Sequence, residues 1–181
     1  MKQDSLPLHL DVKTFAHSTG AMSGQDLLSK YERIMEDTRG LGGERSLNWT
    51  IRGELRVGPD GDEQAWLHLA VQALVPLTCQ RCLGPADMEV VVDRAFRFVD
   101  SEALAEVQDE EAEEDVLALS REFNLRELIE DELLMALPLV PRHETCPVAV
   151  KLAVTDPDFE AALAEKTNPF AVLAKLRDTK S

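Results

Sequence analysis

The chain has 181 residues, 44% of them apolar, and sets 34 Asp plus Glu against 19 Lys plus Arg, a formal charge of −15. That length and apolar content suit one domain, or one domain with an arm, and argue against a wholly disordered protein. The acidity argues against a simple cationic sleeve for nucleic acid, which would cluster Lys and Arg to displace counterions, and against docking on anionic membrane.

The charge is uneven along the chain. Residues 1–99 hold 11 basic and 14 acidic side chains, and residues 100–181 hold 8 and 20. From Asp100 to Asp115 there are nine acids and no base. Met1–Val12 has no apolar stretch of the kind that opens a secretory signal. Export is therefore not expected, and the three cysteines are expected to stay reduced in the cytoplasm.

In chain order, Leu6–Val12 reads as a short edge strand. Ser23–Arg39 reads as a helix: Ser23 with Asp26 suggests a capping pair, and Leu27, Leu28, Tyr31, Ile34 and Met35 recur at helical spacing. Gly40, Gly42 and Gly43 stop it. Three strands follow. In Ser46–Val57, Trp49, Ile51, Leu55 and Val57 alternate with Thr50, Arg52, Glu54 and Arg56. The run Gly58-Pro59-Asp60-Gly61 is a turn. Gln64–Val75 places Leu67, Leu69, Val71, Ala73 and Val75 on one face. Met88–Val99 does the same with Met88, Val90, Val92, Phe96 and Phe98, interrupted by Arg94. The stretch Gln64–Gln80 is uncharged, but its alternation reads as strand rather than membrane span. Short connections imply an antiparallel meander of α+β class, with closure into a barrel left open by the sequence.

The acidic run 100–115 reads as a mobile loop, because like charges repel and cannot be buried. Val116–Leu119 is one more strand. Asn124 with Glu127 caps a helix through Leu137 whose stripe is Leu125, Leu128, Ile129 and Leu133, and Pro138 and Pro141 end it. Asp156–Lys166 reads as helical, and Asn168-Pro169 opens a short helix through Leu176. The chain is thus read as one domain over 1–181, with the loop at 100–115 and a C-terminal arm at 151–181.

The sharpest local motif is Cys79-Gln-Arg-Cys82, followed by Leu83-Gly84-Pro85 at a bend between strands. A two-residue gap lets two thiolates reach one metal. His143 and Cys146 repeat that gap 60 residues further on. Cys79, Cys82, His143 and Cys146 would make a closed tetrahedral zinc site that staples the sheet to the segment after the helix. The plainer reading is that each cysteine is a small buried hydrophobe. A redox role fits less well, since a thioredoxin-type pair opens a helix rather than a β bend. Arg52, Arg56 and Arg97 on polar strand faces, with Arg81 in the bend, could together meet RNA phosphate. The simpler alternative is cross-strand pairing with Glu54, Glu89 and Asp93. His9, His17 and His68 are scattered, and the sequence holds no G-x-S-x-G, H-E-x-x-H, P-loop or G-x-G-x-x-G element.

Three motifs occur in a fixed order: Cys79-Gln-Arg-Cys82-Leu83; the run from Leu128 through Leu139-Val140-Pro141-Arg142-His143 to Cys146; and Asn168-Pro169-Phe170-Ala171-Val172-Leu173. In combination they resemble the YceD family, the large ribosomal RNA subunit accumulation proteins of bacteria, with relatives in chloroplasts. Some relatives carry more cysteines in the second region, where this chain has Cys146 with His143. The resemblance implies a non-enzymatic cytoplasmic factor for the processing, stabilisation or early assembly of large-subunit ribosomal RNA. Its partners would be that RNA or its assembly intermediates, met through the sheet arginines, or basic ribosomal proteins, met through residues 100–115. The competing reading is a zinc-dependent or thiol enzyme acting on RNA or protein.

Overall fold

A computed structural model describes residues 9–58, 61–150 and 153–154. Its centre is an antiparallel meander of β2 (Ser46–Val57), β3 (Glu63–Thr78) and β4 (Pro85–Val99). Alternation dictates the register. Trp49 stands opposite Val71, which stands opposite Val92, and Leu67 stands opposite Phe96, so one face is continuously apolar. The other face carries Asn48, Thr50, Arg52 and Gln72, all exposed. One buried and one solvated face is the usual economy of an antiparallel sheet.

Two further strands extend it. β1 (Ala21–Leu27) pairs antiparallel with β2, and β5 (Asp115–Ala118) pairs parallel with β4. The order is β1-β2-β3-β4-β5, so the sheet is mixed and open. The barrel left open by the sequence does not form. A parallel neighbour needs a crossover, and α3 (Glu102–Asp109) supplies it. The acidic run is therefore not simply a loop. Ser101 caps α3, Glu and Ala are good helix formers, and only Ala105 has to be buried while the acids point outward.

The expected helix Ser23–Arg39 is also corrected. Its first part is β1, then a 3-10 turn Leu28–Lys30, and only Glu32–Asp37 is helical (α2). Ser, Gly24 and Gln form a weak helix start, and a central Gly costs about 1 kcal/mol against Ala. Pairing along the open edge of β2 outweighs the local periodicity. The pattern inverts accordingly: Leu27 is exposed, while Asp26 is 5% exposed and points inward. Its carboxylate pairs with Lys30 and lies 3.6 Å from Arg126. The strand expected at Leu6–Val12 is replaced, within the described residues, by an isolated bridge between Leu10 and Phe123 and by α1 (Val12–His17).

Helices cover the apolar face. Val12 and Ala16 of α1, Leu28, Tyr31 and Ile34, and Leu125, Leu128, Ile129 and Leu133 of α4 (Leu125–Ala136) close the core over Trp49, Ile51, Leu69 and Phe96. Gly53 lets α1 approach: a Cβ there would lie 2.7 Å from Phe15 Cδ1 and 2.9 Å from Ala16 Cα. The Asn124 side chain accepts from the Glu127 N–H, as the capping pattern predicts. Arg33 of α2 grips the middle of α4 through Glu130 (3.2 Å) and Asp131 (2.6 Å). The chain divides into two units, Met1–Cys146 and Pro147–Ser181. The first holds all of these elements. The expected helices at Asp156–Lys166 and Asn168–Leu176 lie outside the described residues.

Candidate metal centre

The bend between β3 and β4 is a tight knuckle. The Cys79 N–H donates to the Gly84 carbonyl (2.9 Å), and the Leu83 N–H donates to the Cys79 carbonyl (2.9 Å). Closing so short a loop drives Leu83 into the left-handed region, with φ of 60°. The geometry turns both thiols inward to the same side. Cys79 is fully buried, and Cys82 is half-buried.

The second pair arrives from α4. The helix stops at its C-cap Leu137, and Pro138 and Pro141 keep the following chain from continuing it. The Gln80 N–H donates to the Pro141 carbonyl (2.9 Å) and lays that chain along the knuckle. His143 and half-buried Cys146 thereby reach the two thiols. The four ligand atoms all lie within 4.8 Å of one another. Cys79 Sγ is 3.9 Å from Cys146 Sγ, and Cys82 Sγ is 3.4 Å from His143 Nδ1.

Those spacings can be tested against a metal. With Zn–S of about 2.3 Å and Zn–N of about 2.05 Å, a tetrahedron has S···S edges of about 3.8 Å and S···N edges of about 3.6 Å. The Cys79–Cys146 and Cys82–His143 edges match within about 0.2 Å, and the other four lie within the 4.8 Å span of the group. The orientation of the imidazole fits as well. His143 Nε2 donates to the Pro85 carbonyl (2.9 Å), which leaves the Nδ1 lone pair facing the thiols. The Cys3His group is close enough to hold a metal and compatible with structural zinc.

Electrostatics split the thiols. Burial would push Cys79 up, but the N–H groups of Cys82, His143 and Arg81 outweigh it and hold the thiol at about 5. Cys146 is pushed up, first by burial and then by its contacts with Cys82 and Cys79. A cation at the centre would favour the thiolate form at both positions.

The arginine set separates. Arg52, Arg56 and Arg97 share the solvated sheet face, whereas Arg81 sits in the knuckle. Arg52 is exposed opposite His68. Arg56 pairs with Glu54 and lies 4.1 Å over the Trp66 ring. His68 in turn lies 3.1 Å from Glu54 and helps hold that carboxyl below its usual range. Arg97 is 9% exposed, bound to Glu114 (2.6 Å) and Gln108 (2.5 Å). Sequence reasoning found Glu54 but missed Glu114 and Gln108, because α3 was not foreseen. Arg81 donates to the carbonyls of His143 and Glu144, the latter at 3.0 Å. Its place inside the Cys79-x2-Cys82 gap was the one available signal for that role. No helix among the described residues is long and apolar enough to cross a membrane.

A family model described as the large ribosomal RNA subunit accumulation protein YceD matches residues 67–177, well over half the chain. The match includes all four cluster residues. A relative from Haemophilus influenzae, named large ribosomal RNA subunit accumulation protein YceD, is 38% identical over 109 residues. That stretch covers 59% of this chain and 62% of the relative, less than two thirds of its length. No solved structure matches.

Proposed function

The chain belongs to the YceD family of large ribosomal RNA subunit accumulation proteins, and from that premise we propose that it is a non-enzymatic cytoplasmic factor supporting accumulation of large-subunit ribosomal RNA. The family match carries this reading, because it runs through β3, β4, α4 and every residue of the Cys3His cluster. The cluster is read as a structural zinc site. When bound, zinc would tie the knuckle to residues 143–146. Four protein ligands complete a tetrahedron and leave no position for substrate, which is the arrangement of structural rather than catalytic zinc. That weighs against the zinc-dependent or thiol enzyme.

The contact is read as protein rather than naked RNA. Arg56, Arg81 and Arg97 already have partners inside the fold, whereas Glu102, Glu106, Asp109, Glu110 and Glu111 are exposed. An acidic ledge attracts a basic ribosomal protein and shields it before it reaches RNA. Two measurements test the reading. Cells lacking the protein should show a lowered ratio of large- to small-subunit RNA, and an unchanged ratio refutes the role. Crosslinking in cells should recover basic ribosomal proteins on α3, and recovery of ribosomal RNA alone refutes the protein contact.

A further inference from the structure

The sequence groups Arg81 with the sheet arginines, but its guanidinium lies beside the metal centre, on the main chain between His143 and Cys146. One terminal nitrogen donates to two successive carbonyls, those of His143 and Glu144. These peptide units lie between the two ligands of the second pair. Arg81 itself lies between the two ligands of the first. A single side chain thus ties the linker of one ligand pair to the linker of the other, 62 and 63 residues away. Apart from the contacts of the ligand thiols themselves, two other bonds cross the same gap, Gln80 N–H to Pro141 and His143 Nε2 to Pro85, but neither reaches past His143 toward Cys146.

Charge supports the same role. A divalent metal with three thiolates and a neutral imidazole carries a net charge of −1. A half-enclosed anion is costly unless a cation stands beside it. Arg81 is that cation.

Resting on the zinc reading above, we propose that Arg81 is the positioning residue of the metal centre. It clasps the 143–146 segment in ligand geometry before metal arrives and offsets the surplus charge of the three thiolates. Groups that orient metal ligands in this way are worth about 10- to 100-fold in affinity.

Cobalt(II) is the probe, because its visible spectrum reports tetrahedral geometry and thiolate number. The full chain is titrated as wild type, R81A, R81K and R52A, with zinc competition for affinity. Wild type and R52A should show the same three-thiolate tetrahedral spectrum. R81A should bind about 10- to 100-fold more weakly and lose the intensity of one thiolate as Cys146 drifts out. R81K should fall between, since it keeps the charge. R81A matching wild type in both affinity and spectrum would overturn the clasp while leaving the zinc reading intact. Wild type that takes neither cobalt nor zinc removes that reading, and the clasp with it. Should R81A not fold, R81Q decides on the same two readouts, with equality to wild type again the overturning result.

Discussion

Removing the metal should lower the melting temperature of the first unit by about 15 °C, and the figure follows from where the ligands lie. Cys79 and Cys146 are 67 residues apart, so a shared metal closes a long loop in the unfolded chain. Closing a loop of that length removes about 15 cal/mol/K of chain entropy. Unfolding a unit of 146 residues releases about 300 cal/mol/K near its midpoint. The ratio is about 5%, which is about 15 degrees on an absolute midpoint near 330 K. The assay is a reversible thermal melt followed by far-ultraviolet circular dichroism, with equimolar zinc and then with excess chelator. Cys146→Ser should melt where the chelated wild type melts and should no longer respond to chelator. A wild type with proven zinc content whose midpoint ignores the chelator would refute the reasoning. So would a C146S variant that still falls on chelation.

Three other outcomes are expected. Leu83→Gly should stabilise the fold by about 0.5–1 kcal/mol in urea titration, because the side chain is 74% exposed and its left-handed backbone is strained; a loss of stability would mean that the leucine side chain holds the knuckle. Gly53→Ala should cost about 1–3 kcal/mol, since the added carbon meets the backbone of α1, and a cost below about 0.5 kcal/mol would show that α1 can lift freely. Glu132→Gln should raise the melting temperature at pH 7. Burial pushes the Glu132 carboxyl up, helped by Asp115 and Asp131 against Arg94. A raised carboxyl favours the fold below its unfolded value, and that contribution is lost as pH rises through the folded value. The gain from E132Q should therefore shrink toward pH 4, and a gain that grows on acidification would contradict the assignment.

Legibility in the sequence followed the physics of each element. β2 was readable to the residue because Trp49 and Ile51 alternate with Thr50 and Arg52, and nothing else satisfies that pattern. α4 was readable because Asn124 caps it locally. The four cluster residues were readable because a two-residue gap is a property of side chains. β1 was not, since Leu27 and Leu28 suit either period and the decision came from pairing with β2. α3 was hidden because its acids suggest repulsion, while its Ala and Leu content and the Ser101 cap act through the backbone. The role of Arg81 was hidden for a related reason: its acceptors are main-chain carbonyls more than sixty residues away, which no side-chain pattern records.

The inward carboxylate of Asp26 has a consequence for how the sheet is assembled. β1 ends the sheet, and an end strand can slide or recruit a second chain. Shifting β1 by one residue on β2 would turn Asp26 to solvent and force a neighbour such as Leu27 or Gln25 inward. That slip would detach the carboxylate from Lys30 and leave half-buried Arg126 without its anion. Asp26 therefore works as a detent: one charge, seated in the core, admits one alignment of the last strand and discourages every other.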